Sequence, residues 1–174
     1  MVSAQAWPRS KMVMEDVTFE PATDADLAAI RALLRRCELP IDDVGPAPLE
    51  HFVVCRTGGR LAGTVGLELM GEVGLLRSLA VAPEVRRKGL GHALWARGCA
   101  DAARAGVRHL YLLTTTASDL FARWGFQPVG REAVPPAIQA TAEYSSLCPS
   151  TAVVMAMDLA AADSQLGGRS PAAR

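Results

Sequence analysis

The spacing of hydrophobic residues in the first half of the chain predicts a strand, a helix and then an antiparallel meander. Residues 17–20 alternate apolar and polar positions, as an edge strand does. The next apolar residues recur at the three- and four-residue spacing of an amphipathic helix: Leu27, Ile30, Leu33 and Leu34. Runs 51–56 and 60–70 flank a glycine-containing turn and predict a hairpin, and a second turn at 71–74 leads into a third strand.

The segment from Val73 to Arg97 is the stretch around which the other elements are arranged. Its first half is an apolar run interrupted by Arg77 and Ser78, which predicts a largely buried strand. Pro83 ends this strand, and the residues from position 92 onward are good helix formers. We therefore predict a strand, a glycine-containing turn and the start of a helix.

The second half of the chain predicts one more helix–strand alternation and a final strand. Gly106 is typical of a helix end, and 109–115 is an apolar run that a helical crossover would place parallel to the central strand. If these two parallel strands diverge, the gap between them would admit an extended ligand. Residues 118–124 predict a short helix, 135–149 a helix and loop over one end of the sheet, and 151–159 a last strand.

Length and composition favour one domain and exclude several classes of partner. Half of the 174 residues are apolar, which supports a single hydrophobic core, and the alternation of strands and helices predicts the α/β (α+β) class. We expect one domain over residues 15–159, between a flexible leader at 1–14 and a disordered tail at 160–174. Lys plus Arg equals Asp plus Glu, and no apolar run approaches the roughly 20 residues of a membrane span. We therefore expect no nucleic acid or membrane partner, and a cytoplasmic protein. The four cysteines are widely spaced, so we expect no metal site.

The clearest candidate chemistry lies at the helix start between residues 86 and 92. The first N–H groups of a helix have no partner inside it, and the helix dipole adds partial positive charge there. Gly89 and Gly91 lack a Cβ, so a phosphate can approach the backbone, and Arg86, Arg87 and Lys88 add positive charge. We interpret this turn as a pyrophosphate-binding site.

Three known phosphate-binding turns fit this segment to different degrees. A nucleotide-triphosphatase loop needs Gly-Lys followed by Ser or Thr, which the chain lacks. A dinucleotide fingerprint needs a small residue where Leu94 stands, and an acidic residue about twenty positions later. The pattern of Arg86, Gly89 and Gly91 resembles the acetyl-coenzyme A (acetyl-CoA) loop of the GNAT superfamily of N-acetyltransferases. On this short motif alone, a basic turn that merely caps a helix stays an alternative.

The resemblance extends over residues 15 to 159, because the predicted elements follow the order of the GNAT fold. Segments 76–81, 111–117, 121–126 and 147–155 look like the arsenic-resistance N-acetyltransferases of bacterial arsenic operons. The Leu-Thr-Thr strand, the Gly-Phe turn and the Met-x-x-Asp-Leu ending also look like the acetyltransferase domain of N-acetylglutamate synthase. The resemblance implies a mixed, largely antiparallel sheet with a splayed parallel pair, flanked by helices, and a two-fold homodimer is common for such folds.

The same resemblance implies an acetyl-CoA-dependent N-acetyltransferase acting on the α-amino group of a small amino-acid-like acceptor. An arsenic-containing amino acid or another toxic analogue is the implied substrate. Two alternatives stay open at this point. One is an amino-acid acetyltransferase similar to N-acetylglutamate synthase, and the other is a non-catalytic sensor of acyl-CoA or arsenicals with the same fold.

The candidate site residues fall into three sets. The first would bind acetyl-CoA: Leu79, Ala80, Val81, Arg86, Arg87, Lys88, Gly89, Leu90, Gly91, His92 and Phe121. The second would bind the acceptor: Arg77, Ser78, Thr114, Thr115, Thr116 and Cys148. The third would support the reaction, through a water held by Glu68 and through backbone N–H groups that stabilise an oxyanion. Its members are Glu68, Ser78 and Leu79.

Two departures from the family pattern and one buried charge shape these assignments. The chain has Phe121 where many GNAT enzymes carry a tyrosine acid, and Leu75 where many carry a glutamate base. An α-amino group has a pKa of about 7.7 to 8.0, so it is partly neutral without a strong base. Arg77 needs an anionic partner, for which we prefer a substrate carboxylate or another oxyanion, with a structural Asp or Glu as the alternative.

Overall fold

The computed structural model describes residues 16–160, apart from the side chain of Pro48, and the chain alternates strands and helices over this range. The strands are β1 (Val17–Pro21), β2 (Phe52–Thr57), β3 (Arg60–Met70), β4 (Val73–Val81), β5 (His109–Thr114), β6 (Gln127–Pro128) and β7 (Val153–Asp158). The α-helices are α1 (Leu27–Arg36), α2 (Leu90–Arg104), α3 (Ser118–Arg123) and α4 (Pro136–Gln139), and a π-helical turn follows at Glu143–Leu147.

The seven strands form one mixed sheet in the order β1-β2-β3-β4-β5-β7-β6. Each neighbouring pair is antiparallel except β4 and β5, which are parallel because α2 carries the chain from one to the other. The predicted fold class, a largely antiparallel sheet with one parallel pair and flanking helices, is confirmed.

The parallel pair separates after a short paired stretch. Val73, Gly74 and Leu75 lie opposite His109, Leu110 and Tyr111, and the pairing does not continue toward Val81 or Thr114. β5 stays paired to β7 on its other side as far as Thr114. The sheet is therefore open in its middle, beside the point where β4 approaches α2.

Alternate residues of β4 contribute to hydrophobic clusters on the two faces of the sheet. Leu76 belongs to the main core, which includes the buried residues of α1 and α2. Leu75 belongs to a smaller cluster with Val134, Ile138 and Val154, next to α4. Because successive strand side chains point to opposite faces, β4 is covered on both, and the buried strand predicted from its apolar run is confirmed.

The predicted elements are present with shifted boundaries. α1 begins at Leu27 and ends at Arg36, and a 3₁₀ turn at Asp24–Asp26 precedes it. The predicted helix and loop at 135–149 consist of α4 and the π-helical turn, and β6 is a two-residue strand that the sequence did not predict. The leader predicted at 1–14 and the tail predicted at 160–174, apart from Ala160, lie outside the described residues.

Between residues 16 and 160, no helix is long and apolar enough to cross a membrane.

Candidate functional site

A cleft of about 930 Å³ opens where β4 and β5 diverge. Its walls come from the ends of both strands, the segment after α1, the start of α2, α3, and the π-helical turn with the segment that follows it. The lining is mostly apolar, with a few polar side chains at defined points. A concave site of this size at a break in a sheet suits a small-molecule ligand with an extended shape.

A β-bulge distorts β4 at the cleft. Gly66 of β3 lies opposite Arg77 and Thr64 lies opposite Ala80, so β4 has one residue more than β3 between these two pairs. Ser78 has a φ of 53°, a left-handed conformation that costs a non-glycine residue about 1–2 kcal/mol. A bulge interrupts the hydrogen-bond ladder and bends the strand. Because Ser78 and Leu79 line the cleft, the interrupted backbone lies beside the ligand space.

The start of α2 borders the same cleft and has the conformation that anion binding requires. Gly89 is the N-cap residue with φ of 81°, and Arg87 before it has φ of 63°. A Cβ built on Gly89 would meet no atom within 4 Å, so the backbone there faces open space. A phosphate can therefore reach the free N–H groups of the first helical turn.

Arg86 is fixed beside this turn. Its Nε donates to the carbonyl oxygen of Val81 at 3.0 Å, and its Nη2 lies 3.3 Å from Cys37 Sγ. The guanidinium is exposed and its positive charge lies next to the helix start. These features fit a diphosphate, which carries negative charge and accepts several hydrogen bonds.

Aromatic rings form the wall next to the helix start. The His92 ring lies 4.9 Å from Trp95 and 5.5 Å from Trp124, measured between centroids, and Trp95 stacks on Trp124 at 5.3 Å. Phe121 packs edge-on against Trp124 and Phe126. Phe121 lines the cleft but has no hydroxyl, so this position offers no proton donor.

Arg77 is the centre of a charged cluster that comes from four separate segments. Its guanidinium contacts Asp43 in the loop after α1 and Glu68 on β3, with Nη2–Oδ1 of 2.6 Å and Nη1–Oε1 of 2.7 Å. Its Nε lies 3.4 Å from Glu143 Oε2. Burial opposes the charge of Arg77, but Asp43, Glu143 and Glu68 raise its pKa above the ordinary range. The structure thus supplies the protein carboxylates that one of the two alternatives for Arg77 required.

Glu143 is a buried carboxyl group at the edge of the cleft. It is 6% exposed, and the part of the chain that the structure describes provides no hydrogen bond to its Oε2. Burial raises the pKa of Glu143 to about 7, because the charge of Arg77 offsets only part of the desolvation while Asp43 and Glu68 add repulsion. A carboxyl group with a pKa near 7 can gain and lose a proton at working pH.

Cys148 and the threonines of β5 complete the polar lining. Cys148 Sγ lies 3.9 Å from Glu143 Oε1, and burial raises the pKa of this thiol to about 11. The Thr114 hydroxyl accepts a hydrogen bond from the backbone N–H of Ala117 at 3.0 Å. Thr115 and Thr116 line the cleft as well. The Cys148 thiol is therefore protonated near neutral pH. Thr114 lines the cleft and also holds the backbone of Ala117.

Most of the side chains proposed from the sequence lie together at this cleft. Those that line it are Arg77, Ser78, Leu79, Val81, Arg86, Arg87, Gly89, Leu90, Gly91, His92, Thr114, Thr115, Thr116, Phe121 and Cys148. Three proposed residues do not line it. Ala80 is buried in the main core, Lys88 is exposed next to the cleft, and Glu68 reaches Arg77.

The sequence analysis missed Asp43 and Glu143. Asp43 lies in a proline- and glycine-rich connection, where nothing in the pattern indicates a contact with β4. Glu143 could have been noticed in the sequence, because it is the only charged residue between Glu132 and Asp158, in an otherwise apolar or neutral segment. An isolated carboxyl group in such a segment is either solvated or placed for a specific contact.

Within residues 16–160, no group of three or more His, Cys, Asp or Glu side chains is arranged to hold a metal ion.

Comparison with known proteins assigns the fold. The sequence model of the acetyltransferase (GNAT) family matches residues 15–126. N-acetylglutamate synthase from Neisseria gonorrhoeae, complexed with coenzyme A and N-acetyl-glutamate, has a similar structure, with a TM-score of 0.73 and 22% identity over 82% of this chain. This chain spans 35% of that protein.

Two other similar structures match this chain over nearly the whole of their own length. Rv2747 from Mycobacterium tuberculosis, in complex with CoA and NLQ, has a TM-score of 0.68 and 21% identity over 81% of this chain and 98% of its own. The ribosomal-protein-S18-alanine N-acetyltransferase from Escherichia coli has a TM-score of 0.60 and 19% identity over 82% of this chain and 94% of its own. At these identities the similarity defines the fold.

Proposed function

Because the chain belongs to the acetyltransferase (GNAT) family, we propose that it is an acetyl-CoA-dependent acyltransferase that acetylates the α-amino group of a small amino-acid-like acceptor. One observation supports this proposal above the others: a helix start suited to a diphosphate, a bulged strand and a titratable carboxyl group border one cleft. The cleft lies at the break in the sheet, where an extended donor and a small acceptor can meet.

The helix start would hold the diphosphate of acetyl-CoA, which supplies an activated acetyl group as a thioester. Backbone N–H groups from Gly89 to His92 and the guanidinium of Arg86 provide the donors and the charge. The open space at the Gly89 Cβ position allows the close approach that this contact needs.

The bulge would stabilise the negative charge that develops on the acetyl oxygen. Backbone N–H groups at Ser78 and Leu79 lie where the ladder with β3 is interrupted, and a fixed backbone donor needs little reorganisation during the reaction. A thiol is a weak acid, with a pKa of about 8.5 for a cysteine side chain, so the sulfur can leave as a thiolate and take up its proton afterwards, without an acid at position 121.

The acceptor side of the cleft would contain Ser78, the β5 threonines and Cys148, with Arg77 behind them. A carboxylate on the acceptor would have to displace Asp43 or Glu143 to reach Arg77, so hydroxyl and backbone contacts are the more accessible partners. The structurally similar proteins complexed with N-acetyl-glutamate and with NLQ support a small acceptor. The arsenic-containing amino acid, the cytoplasmic location and the homodimer stay predictions.

Thiol release from acetyl-CoA with a panel of acceptors tests this proposal. The panel contains glutamate, glutamine, other amino acids, an arsenic-containing amino acid, amines without a carboxylate, and a peptide with a free N-terminus. We expect amino acids to be acetylated at nitrogen, with product mass increased by one acetyl group. Peptide acetylation without amino-acid acetylation would contradict the small-acceptor proposal, and acetyl-CoA binding without turnover on any amine would favour the sensor.

A further inference from the structure

The Oε2 atom of Glu143 is a buried polar atom that has no part in the proposed binding of acetyl-CoA. None of the described residues gives it a hydrogen bond, although the side chain is 6% exposed. Buried carboxyl oxygens usually have a hydrogen-bond partner, because leaving one unsatisfied is costly. A ligand group that donates hydrogen bonds from inside the cleft would complete this site.

The Glu143 carboxyl lies beside the bulge in β4. Arg77 Nε is 3.4 Å from Glu143 Oε2 and 3.4 Å from Ser78 Oγ, so one guanidinium nitrogen joins the carboxyl to the bulge. Glu143 and Ser78 both line the cleft. A ligand group that contacts Glu143 would therefore lie close to the backbone expected to hold the acetyl oxygen.

The charges around this point favour a cation. One guanidinium faces three carboxyl groups, those of Asp43, Glu68 and Glu143. Asp43 and Glu68 accept hydrogen bonds from Arg77, whereas the Glu143 contact is an ion pair without hydrogen-bond geometry. A positively charged ammonium group that reaches the Glu143 carboxyl from the cleft would balance the surplus carboxyl charge.

We propose that Glu143 binds the ammonium group of the acceptor and removes its proton before acetyl transfer. This inference rests on the proposed function, because it assigns a role in amine acetylation. Glu68 is the less suitable base, since its carboxyl is bonded to Arg77 and does not line the cleft. Cys148 has a protonated thiol near neutral pH, so it is a neighbour of the base rather than the base itself.

The reaction balances with Glu143 as the proton acceptor. The Glu143 carboxylate takes one proton from the ammonium, and the freed nitrogen lone pair forms the C–N bond with the acetyl carbon. The C–S bond then breaks and its electron pair stays on sulfur. The second proton lost by nitrogen goes to the thiolate, and Glu143 returns its proton to water through the cleft.

The pH dependence of kcat/KM for the acceptor tests this role. For the wild-type protein we expect kcat/KM to rise as the pH passes about 7, where Glu143 ionises. We expect kcat/KM to fall above the pKa of the acceptor amine, because the ammonium form is the one that binds. Glu143→Gln keeps the side-chain volume but cannot accept the proton. We expect kcat/KM of this variant to be about 100-fold lower than that of the wild type. We also expect its kcat/KM no longer to rise near pH 7.

Two further variants distinguish loss of the proton acceptor from disturbance of the charged cluster around Arg77. Asp43→Asn removes a carboxylate that raises the pKa of Glu143 and frees Arg77 to pair with it, so the rise should persist and move to lower pH. Glu143→Asp keeps a carboxyl group and should keep the rise at reduced rate. Calorimetry with acetyl-CoA should show donor binding by all three variants, including Glu143→Gln, which establishes that they are folded.

The possible outcomes distinguish this inference from the proposed function. A Glu143→Gln protein that binds donor and keeps the wild-type pH profile overturns the role of Glu143, as does loss of the rise in Glu68→Gln but not in Glu143→Gln. Either result leaves the proposed function intact. A wild-type protein that acetylates no amine overturns both.

Discussion

Arg77 Nη2 donates to Asp43 Oδ1 at 2.6 Å and thereby connects the central strand to the loop that follows α1. Arg77 is 4% exposed, so its charge is almost removed from water. A buried cation of this kind is tolerated because carboxylates from other segments surround it. The contact therefore ties together parts of the chain that are distant in sequence.

Replacing Arg77 with methionine should strongly destabilise the protein. The substitution keeps an unbranched side chain but leaves Asp43, Glu68 and Glu143 without their cation, and breaking a buried ion pair in this way costs about 3–5 kcal/mol. Urea unfolding measures the loss. Arg104→Met is the matched control, because Arg104 is an exposed partner of Asp101 and its pair should contribute about 1 kcal/mol or less. Equal losses in the two variants would contradict a structural role for the Arg77 cluster.

Replacing Gly89 with alanine should weaken acetyl-CoA binding beyond its effect on stability. At φ of 81° an alanine costs about 1–2 kcal/mol, and its methyl group would occupy the open space next to the helix start. Loss of a charge-assisted hydrogen bond there would lower the affinity about tenfold or more, as measured by calorimetry.

Gly59→Ala is the matched control for that experiment. Gly59 lies in the β2–β3 hairpin turn with φ of 74°, and its Cβ position is also open. The two variants should lose similar stability, and the hairpin variant should bind acetyl-CoA normally. Equal affinity in both would show that close approach to Gly89 is not required.

Introducing a hydroxyl group at position 121 should have little effect on turnover. Phe121→Tyr places a phenol in the cleft wall, but a thiolate is stable enough to leave before it is protonated, so the added acid is not needed. We expect kcat to change by no more than about twofold near pH 7.5 in a thiol-release assay. A tenfold gain would instead show that protonation of the thiolate limits the wild-type reaction.

The stability of the protein should depend on pH through Glu143. Its pKa is about 7 when folded against an ordinary 4.5, so the folded state holds a proton that the unfolded state has lost between these values. The contribution is fully present below about pH 4.5 and is lost as the pH rises through about 7. The total corresponds to roughly 3 kcal/mol.

Comparison with Glu143→Gln isolates this effect from all other titrating groups. Gln cannot ionise, so wild-type stability should fall relative to the variant as pH rises from about 4.5 to 7, and the difference should then level off. Urea unfolding at a series of pH values measures it. A constant difference between wild-type and Glu143→Gln over this range would mean that the folded carboxyl titrates at its ordinary pKa.

The sequence predicted the fold and the helix start beside the cleft because both depend on local pattern. The apolar run of β4, the Gly58-Gly59 turn and Gly89 before α2 each determine backbone conformation within a few residues. These features determined the strands, the hairpin and the helix start, and the crossover rule then made β4 and β5 parallel neighbours.

The charged cluster could not be predicted in the same way, because its members come from distant parts of the chain. Asp43, Glu68, Arg77 and Glu143 lie on a loop, two strands and a π-helical turn, and tertiary packing alone brings them together. The sequence established that Arg77 needed an anion and left the source open between protein and substrate. The bulge at Ser78 is also a property of the register between β3 and β4.

The short pairing between β4 and β5 has a mechanical consequence. Beyond Leu75 and Tyr111, β4 and β5 are no longer paired, so only three residue pairs join the two parts of the sheet edge to edge. The arm of coenzyme A carries amide groups, and seated between the strands it would act as an inserted eighth strand. Loading the donor should therefore stiffen the whole sheet, and release of the spent carrier should loosen it again in each catalytic cycle.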